Sequence, residues 1–269
     1  MALLFEHGAT GVQDMREDGG GLLTHFSSEA DTTELIRALA DAGAQAELTS
    51  VGDVDWSVQW RTSVRAHRVG SLAVAPPWLA GSSEPLHTVI VDPGMAFGTG
   101  EHPSTRGALR LMQQVVRGGD IVADLGAGSG VLAIAAAKLG AKRVAAVEAD
   151  PDAIGNAECN VAQNGVSDRV CVIQGDAMLL LPLLAPVRVV VANILAPVLT
   201  ELLPAIRGAL SEDGRAVLAG MALDERPAMV EAIERGAWVI ASEDIDAGSG
   251  VSGLDGEETS WWSVVVARS

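Results

Sequence analysis

The sequence predicts a doubly wound α/β domain, a mostly parallel sheet with helices on both faces, behind a small α+β unit at the amino terminus. Three observations carry the prediction. From about His87 onward, short Val- and Ala-rich runs alternate with segments that are apolar at helical spacing. One stretch, Val122–Asp150, holds a strand, a glycine turn, a helix and a second strand ending in an acid. Polar residues then recur at successive strand ends, where an open α/β sheet receives its ligand.

Residues 1–85 are assigned to the small unit and its linker, and 86–269 to the large domain. In the first, Val12–Met15 and Leu22–Phe26 are predicted as strands around Gly19-Gly20-Gly21. Asp31 opens a helix with Glu34 three residues on, a capping-box-like spacing, and Gly43 closes it. Ala44–Val51 is predicted as a strand. Asp53–Ser63 is predicted as a short helix with Trp56 and Trp60 on one face. Pro76-Pro77 and the run Gly81–Pro85 mark a loop-rich exit.

In the large domain, Val89–Val91 is a short strand, followed by a glycine-rich loop and a helix through Val116. Val122–Leu125 is the strand before the glycine turn, Val131–Leu139 the helix after it, and Val144–Val147 the strand that delivers Glu148. Asp150 caps the next helix with Pro151 at its first position, where a proline N–H is not missed. Val170–Ile173 is a strand ending near Asp176, and Val187–Ala192 one ending at Asn193. The longest apolar run, Ala177–Val187, is broken by Pro182 and Pro186 and is given no element. Pro197–Leu210 is helical, Arg215–Ala219 a strand and Glu225–Arg235 a helix. Trp238–Ala241 and Ser260–Val266 form an edge hairpin around the turn-rich Asp246–Glu258.

Composition narrows the function. Of the 269 residues 48% are hydrophobic, ample for a sizeable core, yet no run reaches the length of about 18 residues that a membrane span needs. The start, MALLFEHGATG, lacks the pattern of a signal peptide. A soluble, cytoplasmic protein without a membrane partner is expected. The two cysteines, Cys159 and Cys171, form no CxxC pair, and the five histidines are scattered, so no metal site is expected. A net charge of −17 opposes direct nucleic-acid binding and suits a basic protein partner, although solubility alone explains it as well.

The glycine turn points to a cofactor. Gly126, Gly128 and Gly130 follow Asp124 and Leu125, so the pattern is GxGxG with Val131 where a dinucleotide fingerprint places its third glycine. Glycines there let backbone approach a ligand at a helix amino terminus. Asp124, two residues before the first glycine, suits a cofactor with positive charge nearby and sits badly beside a pyrophosphate. S-adenosylmethionine carries a sulfonium, an ammonium and no phosphate. The alternatives are a nicotinamide or flavin cofactor, or a glycine turn that is structural only. Glu148, at the next strand tip, sits where a ribose hydroxyl pair is held. Asp176 and Asn193 complete a series of four groups at consecutive strand ends.

The segment Asp92-Pro93-Gly94-Met95-Ala96-Phe97-Gly98-Thr99-Gly100-Glu101-His102-Pro103-Ser104-Thr105-Arg106 resembles the DPGxAFGTGxHPTT signature of PrmA-type methyltransferases, enzymes that modify a protein of the large ribosomal subunit. The likeness continues through DLGAGSGVLAIAAAKLGA, DPDAIGNAECNVAQNGVSDRV and VVVANILAPVL, over about residues 87–222. It implies a class I methyltransferase, Rossmann-like fold with an abbreviated ferredoxin-like amino-terminal domain that docks the substrate. It implies cofactor contacts at Thr105, Gly126, Glu148 and Asn193, a catalytic role for Asn193, and a place for Asp176 beside the adenine amine. Phe97 would shape the pocket wall. The resemblance leans towards a monomer acting on a lysine or amino nitrogen of a ribosomal protein. Glu148 stands where the family more often has Asp, and Glu101 where it often has Thr. The amino-terminal unit is shorter than in typical members and matches at Asp55-Trp56, Trp60 and Pro76-Pro77-Trp78 only. Another protein lysine or a small amine stays open as substrate, as do a nicotinamide-dependent oxidoreductase and an inactive cofactor-binding relative.

Overall fold

A computed structural model of the chain describes residues 4–5, 7–14, 21–27, 32–41, 43–48, 65–80, 87–92, 100–247 and 260–269. The chain divides into two compact units, Met1–Gln59 and Trp60–Ser269. In the first, β1 (Ala9–Asp14) pairs antiparallel with β2 (Leu22–Phe26), and α1 (Thr33–Asp41) follows, burying Leu35. Gly43 ends that helix with a φ of 76°, a left-handed value that a side chain resists. Residues 44–48 carry no strand, unlike the expectation for Ala44–Val51. The predicted helix Asp53–Ser63, with Trp56 and Trp60, lies outside the described residues.

The division falls earlier than 85/86 because residues 67–75 pair into the larger unit. There β3 (His67–Val69) and β4 (Leu72–Ala75) form a hairpin through Gly70, and β5 (His87–Ile90) lies parallel to β4. Gln113, on helix α2 (Pro103–Val115), ties the hairpin down: its Oε1 accepts the Ser71 N–H at 2.8 Å, and its Nε2 donates to the Val69 carbonyl at 3.0 Å.

The main sheet holds β6 (Ile121–Leu125), β7 (Arg143–Glu148), β8 (Val170–Gln174), β9 (Val187–Asn193), β10 (Leu210–Ala222), β11 (Trp238–Asp246) and β12 (Trp261–Arg268). Its order is β11-β12-β10-β9-β6-β7-β8, all parallel except β12, which runs antiparallel between β10 and β11. The predicted terminal hairpin is therefore part of the sheet, with Trp262, Val264 and Val266 fully buried.

Alternation along each strand sorts side chains onto the two faces. Val122, Val144, Val189 and Val217 pack under α2, α3 (Val131–Lys138) and α4 (Pro151–Gln163); Ala123, Val147, Val190 and Leu218 pack under α5 (Ala177–Leu184), α6 (Ala196–Ala209) and α7 (Arg226–Arg235). Residues 131–137 of α3 are all buried, because the small sheet and the flanking helices cover the side that would otherwise meet water. Asp150 caps α4 as expected, its Oδ1 accepting the Asp152 N–H at 2.9 Å. Helix α5 occupies the run left without an element: Asp176 caps it, and Pro182 falls in its last turns. Uniform apolarity hid the helical period there. Among the described residues, no helix is long and apolar enough to cross a membrane.

Candidate active site

The sheet order reverses between β6 and β9, so the crevice at their carboxyl ends is the topological switch point. A cavity of about 800 Å³ opens there. Its walls come from the ends of five parallel strands, at Gly126, Glu148, Gly175, Asn193 and Gly220. His102, Asp176 and Glu201, at helix ends or on a helix, and Trp261, at the start of β12, also line it.

The turn after β6 is built from glycines because its backbone is left-handed at three positions: φ is 72° at Gly126, 52° at Gly128 and 80° at Gly130. The Gly126 and Ala127 N–H groups both donate to the Val147 carbonyl, at 2.9 and 3.0 Å, which bends the turn back over β7. Glu148 is fixed from two sides. Its Oε2 accepts the Gly128 N–H at 2.8 Å and its Oε1 the Asp150 N–H at 2.9 Å. Both bonds hold the carboxylate at the cavity wall.

Asp124 lies beneath this turn and does not line the cavity. It is 1% exposed, and neither carboxyl oxygen has a hydrogen-bond partner. Burial pushes its pKa up to about 7; the nearby Ala133 N–H acts against this without reaching hydrogen-bond geometry, and the Glu148 charge adds to the rise. Gly128 and Thr105 also stand behind the wall, hydrogen-bonded to Glu148 and Asn193 respectively.

Asn193, at the end of β9, donates from Nδ2 to the fully buried Thr105 Oγ1 at 3.1 Å; its Oδ1 is buried without a partner. Ile194, the next residue, is clasped between two glycines. A Cβ at Gly126 would lie 2.5 Å from its Cγ2, and one at Gly220 would lie 2.5 Å from its carbonyl oxygen. Gly220 sits where β10 slips register against β12, with a φ of 91°. Asp176 lines the cavity with its Oδ1 committed to the Met178 N–H at 2.8 Å.

Several groups here were not singled out from sequence. His102 caps α2, its Nδ1 accepting the Ser104 N–H at 3.3 Å, and meets Trp261 edge-on at 4.4 Å. Burial, aided by the Arg106 cation and opposed by Asp246, lowers its pKa. Arg106 forks onto Asp246 through Nε at 3.0 Å and Nη2 at 2.6 Å, while Arg110 reaches both Asp244 and Asp246. These bonds strap α2, and with it Thr105, to β11. Gly220 had a legible signal, a glycine at the tip of a predicted strand. The Arg–Asp straps, 134 to 140 residues apart in sequence, had none. Phe97 and the rest of 93–99 lie outside the described residues. Glu101 accepts the Arg65 N–H at 2.9 Å and meets His67 at 3.0 Å.

Known proteins resemble this chain in sequence and in fold. The model of the family described as ribosomal protein L11 methyltransferase (PrmA) matches residues 5–248. The ribosomal protein L11 methyltransferase of Thermus thermophilus is 38% identical over 216 residues, covering 80% of this chain and 82% of that protein. Its counterpart from Pelotomaculum thermopropionicum is 39% identical over 212 residues, covering 78% and 68%. Among solved structures, the ribosomal protein L11 methylase of Lactobacillus delbrueckii subsp. bulgaricus superposes with a TM-score of 0.63 at 30% identity, over 76% of this chain and 99% of that one.

Proposed function

The chain belongs to the ribosomal protein L11 methyltransferase (PrmA) family, and we propose that its strand-end cavity holds S-adenosylmethionine and presents an amine of an L11-type ribosomal protein for methylation. The observation that carries this reading is Asn193, on the wall of a cavity floored by the glycine turn, with its Oδ1 buried and unpartnered. The residues present fit the cofactor. The cavity volume lies within the usual range of about 300–1,000 Å³ for small-molecule sites. Gly126 offers bare backbone to the cavity, and the Glu148 carboxylate, pinned by two N–H groups, keeps lone pairs for a hydroxyl pair.

When bound, the cofactor supplies an electrophilic methyl group on a sulfonium. The protein's part is to deliver a neutral amine in line with it. A lysine amine has an ordinary pKa of about 10.4, so little of it is nucleophilic at pH 7. Apolar walls at Val147, Leu202 and Trp261 disfavour the ammonium form, lowering that pKa without a strong base. Asn193 Oδ1 accepts one amine hydrogen and so orients the lone pair. Thr105 fixes which end of the Asn193 amide faces the cavity, since its hydroxyl takes the Nδ2 donor. Acids at the cavity, Glu148, Asp176 and Glu201, attract a cationic side chain towards it and favour its ammonium form, so the apolar walls and the sulfonium charge of the cofactor must outweigh them for the amine to be neutral. Most of the acceleration then comes from orientation, worth several kcal/mol.

The test is titration calorimetry with S-adenosylmethionine and, separately, NADH, followed by methyl transfer to purified ribosomal protein L11. Binding of the first cofactor alone and labelling of L11 are expected. Binding of NADH instead would overturn the cofactor; labelling of some other protein and not L11 would overturn the substrate.

A further inference from the structure

Helix α4 carries Asn156, Asn160 and Asn164 at i, i+4 and i+8, on one face. They meet the free edge of β5 as a neighbouring strand would. Asn164 Oδ1 accepts the Ile90 N–H at 2.9 Å and its Nδ2 donates to the Ile90 carbonyl at 2.6 Å. Two residues along, Asn160 Oδ1 accepts the Asp92 N–H at 2.9 Å, and the Asn160 and Asn156 amides both donate to the Asp92 carbonyl at 3.2 Å. Side-chain amides thus pair with both backbone groups of alternate residues, which is what an edge strand needs when no strand lies beside it.

Asn160 does more than its neighbours. It is fully buried, and its Nδ2 also donates to the Ser129 carbonyl at 3.0 Å. Ser129, itself fully buried, lies between Gly128, whose N–H holds Glu148, and Gly130, which caps α3. One side chain therefore ties the Asp92 backbone to the turn that shapes the cavity. The Asn164 side chain holds the same strand but, apart from the Asn160 carbonyl on its own helix, hydrogen-bonds only Ile90 among the described residues.

We infer that Asn160 is a positioning residue for the cofactor site: its amide locks the Ser129 carbonyl, and through it the Gly128–Glu148 contact, to the Asp92 end of β5. It acts through the turn, and its side chain does not line the cavity. The consequence is that cofactor affinity and the order of the Asp92 backbone are linked, although Asp92 is likewise no part of the cavity wall.

The inference rests on the cavity being the S-adenosylmethionine site. The experiment compares Asn160→Asp with Asn164→Asp, each of which removes an amide donor to β5 while only the first releases Ser129. Titration calorimetry with S-adenosylmethionine is read beside the melting temperature. Both variants should melt earlier, and only Asn160→Asp should lose affinity, by at least about tenfold. Wild-type affinity in Asn160→Asp, or an equal loss in Asn164→Asp, would overturn the inference. Should Asn160→Asp fail to fold, amide hydrogen exchange in the wild type decides. Asp92 should exchange at least about tenfold more slowly with S-adenosylmethionine bound; protection of Gly128 without any change at Asp92 would overturn the link. A wild type that binds no S-adenosylmethionine would instead sink the cofactor assignment, and this inference with it.

Discussion

Asn193 and Thr105, 88 residues apart in sequence, meet through a hydrogen bond of 3.1 Å that engages the Asn193 Nδ2, while the Asn193 Oδ1 is buried without a partner. The bond joins the end of β9 to the first turn of α2, and so makes the orientation of the acceptor depend on where that helix sits. Asn193→Ala should lower kcat by about 10²-fold or more with little change in cofactor affinity. Thr105→Val, which frees the amide to rotate, should lower kcat less and leave the affinity alone. Stopped-time methylation assays at saturating cofactor read both; a variant that loses affinity and keeps kcat would contradict the assignment.

Glu148 predicts the opposite split. Glu148→Ala removes the acceptor for a hydroxyl pair and leaves the Gly128 and Asp150 N–H groups unpaired. Hydrogen bonds to a charged group are worth about 1.5–3 kcal/mol, so the cofactor Kd should rise by roughly 10- to 150-fold while kcat at saturation changes little. Calorimetric titration of the variant measures this, and an unchanged Kd would remove the ribose assignment.

Asp124 makes the stability depend on pH. Its folded pKa is about 7 against an ordinary 3.8, so between these values the folded state holds a proton that the unfolded chain has lost. Its contribution is fully present below the unfolded value and is lost as pH rises through the folded one. Cofactor-free wild type should therefore lose stability from about pH 4 to pH 7 relative to Asp124→Asn. Above pH 7 the gap should level off at a few kcal/mol, since one pKa unit corresponds to about 1.4 kcal/mol. Thermal melts of both proteins across that range give the comparison, and parallel curves would show that Asp124 is not held protonated.

Gly220 and Gly126 both press on Ile194, with different consequences. At Gly220 an added Cβ would meet the Ile194 backbone, which cannot yield without moving Asn193; at Gly126 it would meet only the Ile194 Cγ2 methyl. Each alanine also takes on a left-handed backbone, at about 1–2 kcal/mol. Gly220→Ala should be the more destabilising and should lower kcat, whereas Gly126→Ala should chiefly weaken cofactor binding. Denaturant titration and the cofactor Kd of the pair separate the two, and equal behaviour would show that the Ile194 backbone is not held by Gly220.

What the sequence determined is what local chemistry determines. The short apolar runs of β6, β7 and β9, the three glycines, Pro151 behind its capping Asp150, and the signature around Thr105 each act within a few residues, and together they set the fold class and the family. Helix α5 escaped because Ala177–Leu184 is apolar all round and shows no face. Only the tertiary structure decided which groups meet. Asp124, Gly128 and Thr105, expected as contacts, do not line the cavity, and the last two hydrogen-bond the lining residues Glu148 and Asn193; the Asn160–Ser129 bond, the Arg106–Asp246 strap and the clasp on Ile194 join residues 26 to 140 positions apart. Hydrogen bonds and steric contacts act over a few ångströms of space. Their partners are fixed only once the β-strands take their order, and no spacing along the chain records it.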